Sequence, residues 1–208
     1  MRKSRYCLNE SPVYISDRMT GKMHGIPCIG TSCQNNKYCR ARLGAGVGVC
    51  KHCFAMRTQK CYKAVYSVLS ENEFLKFRAL EDSEIPRFKK SVEIVRFEAF
   101  GDLETPLQFT NYWKIAKANP HVKFALWTKN PHLVHAANLP KLTNLTLVFS
   151  SLQLNEPEPL PEKFDHVFTV YTADQISEKR INCGARSCLT CRRCYTRRTG
   201  SEVRELLK

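Results

Sequence analysis

Four short apolar stretches in the middle of the chain alternate with segments of helical pattern. The apolar stretches cover residues 92–98, 122–128, 145–151 and 166–172, and they are rich in Val, Phe, Leu and Thr. Runs of this length and composition are typical of strands that are buried on both faces. The pattern therefore predicts four strands, with a proline-rich surface loop between the third and the fourth.

Helix signals separate these strands. Thr105 followed by Pro106, and Asn130 followed by Pro131, each place a capping side chain directly before a proline that suits the first helical turn. Apolar residues near a 3.6-residue period predict a further helix over residues 61–80. A short helix with Ser83 as its N-cap is predicted over residues 83–90.

Strand–helix alternation predicts an α/β fold with parallel strands and right-handed crossovers. Four strands are too few for a closed eight-stranded barrel, so we expect a partial (open) β/α barrel or a small parallel sheet. The functional edge would then be formed by the carboxyl ends of the strands. The polar residues predicted at that edge are Glu98, Asp102, Thr128, Lys129, Ser150, Ser151 and Thr172.

The eleven cysteines lie only near the two ends of the chain. Seven fall within residues 1–61 and four within residues 183–194, whereas residues 62–182 contain none. This distribution predicts one domain over residues 1–208, with a cysteine-rich N-terminal segment (1–61), an α/β scaffold (62–175) and a four-cysteine C-terminal segment (176–208). No apolar run has the length of a signal peptide or a membrane span, so we expect a cytoplasmic protein without membrane contact. In a reducing compartment, cysteines are metal ligands or catalytic thiols more often than disulfides.

The C-terminal cysteines have the spacing C-x4-C-x2-C-x2-C within "INCGARSCLTCRRCY". Segments of this kind commonly hold iron–sulfur clusters, whereas structural zinc more often uses two C-x2-C pairs separated by a longer loop. The spacing therefore favours a [4Fe–4S] cluster, with zinc as the alternative metal. The predicted ligands are Cys183, Cys188, Cys191 and Cys194.

The N-terminal cysteines are spaced more widely, so iron–sulfur and zinc compete more evenly there. The primary predicted ligands are Cys33, Cys39, Cys50 and Cys53. Cys28 and Cys61 are reserve ligands that would serve this centre or a further cluster. Cys7 is expected to be an ordinary thiol.

Acidic residues gather in "FEAFGDLETP", where a strand leads into a helix. One interpretation is a turn at Gly101 and Asp102 followed by carboxylates that suit the positive end of a helix. The other is a ligand site in which Glu98 or Asp102 binds an amine or a hydroxyl group.

The chain carries a net charge of +14, which indicates either a solvated basic surface or contact with the phosphate groups of nucleic acid or of an anionic cofactor. Two [4Fe–4S] clusters with thiolate ligands, at about −2 each, would reduce the charge to about +10. Part of the basic character would then compensate for cluster charge.

The segments "VCKHCFAM", "RFEAFGDL" and "INCGARSCLTCRRCY" together resemble the phage "gene product 88" family of cysteine-rich proteins. That family is distantly similar to radical S-adenosylmethionine enzymes, whose (β/α) barrels carry a [4Fe–4S] cluster. The resemblance implies phage origin, cytoplasmic location in a bacterial host, and S-adenosylmethionine binding at Glu98, Gly101 and Asp102. The C-x3-C-x2-C spacing of radical enzymes is absent, because Gly46 stands where its first cysteine would be.

Two functions follow. The first is an iron–sulfur protein with two or more [4Fe–4S] clusters that carries out redox or radical chemistry on a small-molecule substrate or with a redox partner. The alternative is a basic nucleic-acid-binding protein with structural zinc or iron–sulfur centres.

Overall fold

A computed structural model describes residues 2–176, 181–184, 187–196 and 200–207. Its first two strands, β1 (Arg2–Lys3) and β2 (Glu10–Ser11), form a small antiparallel pair. The other six form one sheet: β3 (Cys28–Ile29), β4 (Ile94–Phe97), β5 (Lys123–Thr128), β6 (Leu145–Leu154), β7 (His166–Tyr171) and β8 (Ser201–Leu206). The helices of the described residues are α1 (Lys37–Gly44), α2 (Phe54–Cys61), α3 (Lys63–Ser70), α4 (Pro106–Lys117), α5 (Pro131–Ala136) and α6 (Cys188–Cys191).

The six strands of the sheet are all parallel, and their order across the sheet is their order in the chain. The predicted α/β class with an open parallel sheet is therefore confirmed. Crossovers between parallel strands are right-handed almost without exception, and the connections that carry α4 and α5 both pack on the same face of the sheet. The connection between β7 and β8 covers the opposite face, where Tyr195 packs against Trp127.

Side chains of the strands alternate between two separate hydrophobic clusters. One cluster contains Phe97 of β4 and Phe124 of β5, and it packs against Tyr112 of α4. The other contains the intervening residues, among them Ile94 of β4 and Trp127 of β5. We call the face that carries Ile94, Arg96, Ala125, Trp127, Val148 and Phe168 the inner face of the sheet.

Two predicted helix starts are confirmed. Thr105 caps α4 by accepting a hydrogen bond from the Gln108 backbone N–H at 3.1 Å, and Pro106 is its first residue. Pro131 likewise begins α5, although Asn130 uses its side chain elsewhere, donating to the Leu103 carbonyl at 2.7 Å. None of the described helices is long and apolar enough to span a membrane.

The predicted helix over residues 61–80 is confirmed only for α3, because α2 ends at Cys61 and a short 3-10 turn at Glu73–Lys76 follows α3. The end of α3 follows from Asn72, which is fully buried. Its amide donates to the carbonyls of Tyr14 and Gly30, and its oxygen accepts from the Tyr14 N–H. These contacts compete with a continued helix.

The predicted helix over residues 83–90 is wrong. Only Asp82–Glu84 forms a 3-10 turn, and Glu81, not Ser83, occupies its cap with Glu84 in a capping box. Phe88 instead pairs with Cys7 in an isolated bridge, and both side chains are buried in the main core.

Gly101 lies at a close approach of three chain segments. A methyl group added there would overlap the Glu98 carboxylate and lie 2.5 Å from the Thr31 carbonyl oxygen. Because backbone cannot easily move away, we expect Gly101→Ala to lower the free energy of unfolding by about 1–3 kcal/mol.

Urea denaturation would measure this loss. Gly44→Ala is the matched control, since Gly44 ends α1 with open space around it. Equal stability of the two variants would contradict the packing described here.

Candidate metal-binding cavity

A cavity of about 780 Å³ lies over the inner face of the sheet. Residues of both cysteine-rich segments line it, together with strand residues of the inner face such as Arg96, Trp127 and Phe168. The cysteines that line it are Cys33, Cys39, Cys50, Cys53, Cys183, Cys188, Cys191 and Cys194. The fold thus brings cysteines from both cysteine-rich segments to the same cavity.

Local structure positions the N-terminal cysteines. Asn36 caps α1 by accepting from the Cys39 N–H at 3.0 Å, and Cys50 sits in a 3-10 turn at Gly48–His52. Gly48 has a φ of 43°, and a methyl group there would overlap the carbonyl oxygen of Leu152 in β6. The glycine-rich loop therefore lies directly on the end of β6, which holds Cys50 at the edge of the sheet.

Cys53 is the most acidic thiol of this group. It caps α2 by accepting from the Met56 N–H, and the Cys33 thiol donates to its sulfur, which lowers the pKa of Cys53 to about 6. The same hydrogen bond and burial raise the pKa of Cys33. Gln59, which is buried, donates to the Cys33 sulfur and to the Phe100 carbonyl, each at 3.0 Å. It thereby joins the cysteine group to the loop after β4.

Three of the C-terminal cysteines, Cys188, Cys191 and Cys194, lie on α6 and the 3-10 turn that follows it, and Cys183 precedes α6. Arg192 takes a left-handed conformation between them, with φ 50°, and so turns Cys194 back toward the sheet. Tyr195 then packs edge-on against Trp127 of the inner face. Cys183 accepts a hydrogen bond from the Lys22 ammonium at 3.0 Å.

Cys28 belongs with this second group and not with the N-terminal one. It lies in β3, opposite Arg96 in the register, and it interacts electrostatically with Cys188. Burial raises the pKa of Cys28 and of Cys194 to about 12, and the positive charge of Arg96 offsets part of that rise.

Each cysteine group faces at least one cation that forms no ion pair with a carboxylate among the described residues. Arg96 faces the C-terminal group, with its guanidinium 3.2 Å above the centre of the Trp127 ring, and its buried Nε has no hydrogen-bond partner there. Lys129 faces the N-terminal group, where its charge offsets the effect of burial on the pKa of Cys39 and Cys50. Its ammonium donates to the Ser150 hydroxyl at 2.8 Å.

Glu98 is held by protein donors. Its left-handed backbone (φ 50°) interrupts the alternation of β4, and its carboxylate accepts from Thr31, Tyr112 and, at 2.7 Å, the Gln108 amide. Burial raises its pKa to about 8.

Asp102 lies between the ends of β4 and β5. Its Oδ1 accepts from the Thr128 hydroxyl at 2.6 Å and from the Leu103 N–H at 2.8 Å. Among the described residues, its Oδ2 has only a bond from the Lys129 N–H at 3.2 Å, which it shares with Oδ1, and the Arg42 guanidinium at 3.6 Å. Oδ2 therefore keeps capacity for a further donor from the cavity.

The cavity includes most of the residues that the sequence predicted. Cys28, Cys61, Ser151 and Thr172 are not among its lining residues; Cys28 is buried in β3, and Cys61 is exposed at the end of α2. Within the described parts of the chain, no three His, Cys, Asp or Glu side chains converge closely enough to hold one metal ion. Sequence reasoning missed Arg96 and Gln59: Arg96 begins the segment "RFEAFGDL" but received no role there, and Gln59 belongs to no motif. A charged residue inside an otherwise apolar strand was the available signal for Arg96.

Fold and cavity together define a class: an open, all-parallel α/β sheet whose inner face is covered by two cysteine-rich segments. The family model described as gene product 88 matches residues 4–205, and the chain belongs to this family. No curated protein and no solved structure gives a match.

The raised pKa of Glu98 predicts how stability varies with pH. Folding favours the protonated carboxyl, so the contribution of Glu98 to the free energy of unfolding should be fully present below the ordinary pKa of 4.5 and should be lost as the pH rises to about 8. Glu98→Gln should remove this dependence, which amounts to roughly a few kcal/mol.

Urea unfolding of both proteins between about pH 5 and pH 8 measures the difference. The exposed Glu162 provides the control variant Glu162→Gln, which should retain the wild-type dependence. If the curves of wild type and Glu98→Gln run parallel, the burial of Glu98 is not as described.

Proposed function

We propose that this protein holds two [4Fe–4S] clusters, one at each cysteine group, and uses them for redox or radical chemistry on a small molecule in the cavity between them. The observation that carries this proposal is the shared cavity of about 780 Å³, which both cysteine groups line. Such a volume matches that of typical small-molecule sites. When bound, clusters of this type supply one-electron chemistry.

In residue type and number, the donor sets match what iron–sulfur clusters require. Each group offers four cysteines, and thiolate is the ligand that such clusters require. A cluster with four thiolates carries net negative charge, and each group faces a cation without a carboxylate partner in the described chain, Arg96 or Lys129. The Gln59 amide adds a hydrogen bond to sulfur at Cys33. Charges and hydrogen bonds of this kind stabilise clusters and tune their potentials.

S-adenosylmethionine is the cofactor that we propose beside the N-terminal group. The support is Asp102, which lines the cavity and whose Oδ2 retains acceptor capacity for an ammonium group. Four cysteine ligands on one cluster would leave no open iron, so we propose that one of the four N-terminal cysteines is released when this cofactor binds. Cys39 lies in α1 and Cys50 in the 3-10 turn at Gly48–His52, whereas Cys33 and Cys53 are joined by a hydrogen bond.

Single cysteine variants test the assignment of two separate centres. Wild type purified without air should contain about eight iron and eight sulfide per chain. Cys53→Ala and Cys188→Ala should each lose about half of both, because each removes a ligand from one centre only. The double variant should lose nearly all of the iron.

Cys61→Ala is the matched control, since Cys61 is exposed and lies outside the cavity lining. It should keep the full iron content and the wild-type visible spectrum. Full iron retention in both Cys53→Ala and Cys188→Ala would rule the two-centre proposal out.

The two cations make a second prediction about the centres. Arg96→Gln should shift the reduction potential of the C-terminal cluster to more negative values, because a positive charge near a cluster favours its reduced form. Lys129→Gln should do the same for the N-terminal cluster and leave the other potential unchanged. Redox titration followed by electron paramagnetic resonance separates the two signals.

Arg96→Lys keeps the charge but loses the planar stacking on Trp127, so its potential should stay nearer to that of wild type. Equal shifts of both clusters in both neutral variants would contradict the pairing of one cation with each centre.

A further inference from the structure

The positive charge of the protein is concentrated in its cysteine-rich segments. Residues 18–70 contain nine Lys or Arg and no Asp or Glu, and residues 176–208 contain nine basic and three acidic residues. Residues 71–175, which include β4 to β7, contain twelve basic and fourteen acidic residues. The net charge of +14 therefore comes from the two segments that cover the inner face, and the scaffold contributes none of it.

Most of the basic side chains in residues 18–70 are exposed. Lys22 is paired with Glu205, and Arg42 lies beside Asp102. The other seven form no ion pair with any carboxylate in the described parts of the chain: Arg18, Lys37, Arg40, Lys51, Arg57, Lys60 and Lys63.

Metal centres do not account for this charge. One cluster with four thiolates contributes about −2, which leaves a net charge of about +7 on residues 18–70. An excess of this size on one segment attracts polyanions and speeds their encounter with the protein. The exposed charge therefore requires an explanation apart from the cavity.

Exposed aromatic rings lie within the same basic segment. Phe54 is 50% exposed and stacks on Phe100, with the ring centres 6.0 Å apart. Both rings line the cavity, so this pair lies at its opening. Arg57 follows Phe54 by three residues on the same side of α2, and Tyr62, 64% exposed, lies just beyond the helix.

We propose that the surface formed by Lys51, Phe54, Arg57, Lys60, Tyr62 and Lys63 binds single-stranded nucleic acid over the opening of the cavity. Lysine and arginine neutralise phosphates along a strand, and exposed aromatic rings stack on bases that are not paired. An acidic protein partner would use the charges but has no general need of exposed rings. The combination of both features in one segment is what favours nucleic acid.

Fluorescence anisotropy of the full-length protein with labelled oligo(dT) and oligo(rU) of about 20 nucleotides tests this proposal. At least one of the two oligonucleotides should bind. The logarithm of its affinity should fall linearly with the logarithm of the salt concentration, and the magnitude of that slope should fall by about 0.7 for each phosphate contact removed. The triple variant Lys51→Gln/Arg57→Gln/Lys60→Gln should lower that slope by about 2. Phe54→Leu and Tyr62→Leu should each weaken binding about tenfold through lost stacking.

Matched controls come from the scaffold, where Lys90, Lys117 and Lys123 are exposed and Phe77 is 73% exposed. The Gln variants of these three lysines and the Leu variant of Phe77 should bind the oligonucleotides as the wild type does. Iron content, measured in parallel, should stay unchanged in every variant, which separates this proposal from that of the clusters.

Two results would overturn the proposal. One is the absence of binding to either oligonucleotide at low salt. The other result combines two observations. Poly-glutamate of equal length competes as strongly as unlabelled oligonucleotide, and neither Phe54→Leu nor Tyr62→Leu weakens binding of the labelled oligonucleotide. The second result would point to an acidic protein as the partner.

Discussion

The sequential order of six parallel strands is the constraint on which the rest of the molecule depends. Right-handed crossovers place α4 and α5 on one face, where Phe97, Phe124 and Tyr112 form the main core. The inner face keeps apolar residues and one arginine. It is covered by the cysteine-bearing parts of two other connections, those between β3 and β4 and between β7 and β8. A cavity between a sheet and two thiol-bearing segments follows from the topology.

Close packing at the carboxyl edge of β4 joins the fold to the cavity. Glu98 leaves the strand in a left-handed conformation, and Gly101 lets the next turn pass over its carboxylate. Gln59 connects this turn to Cys33, and Asp102 connects it to the end of β5. The loop over residues 98–104 thus connects these segments and also lines the cavity. Both sequence interpretations of "FEAFGDLETP" contain part of this arrangement, because a tight turn and a set of carboxylates occupy the same ten residues.

Strong local signals made the central scaffold predictable. Apolar runs marked β4 to β7, and the Thr105–Pro106 pair marked the start of α4. β3 and β8 were missed, since Cys28–Ile29 is only two residues long and "SEVREL" has a single buried residue, Val203. The helix predicted over residues 61–80 stops early because contacts of Asn72 with residues 14 and 30 override the local periodicity of apolar residues. Spacing likewise grouped Cys28 with its sequence neighbours, whereas β3 carries it to the C-terminal group, and no local pattern reveals such a long-range pairing.

The account rests on the identity of the metal at the two cysteine groups, so metal and sulfide analysis of the wild-type protein, purified without air, tests it most directly. Two clusters predict about eight iron and an equal amount of acid-labile sulfide per chain, with little zinc. The same sample should be brown and should lose its colour on exposure to oxygen. Zinc in place of iron, without sulfide, would contradict the account and leave the cysteines as ligands of structural metal sites.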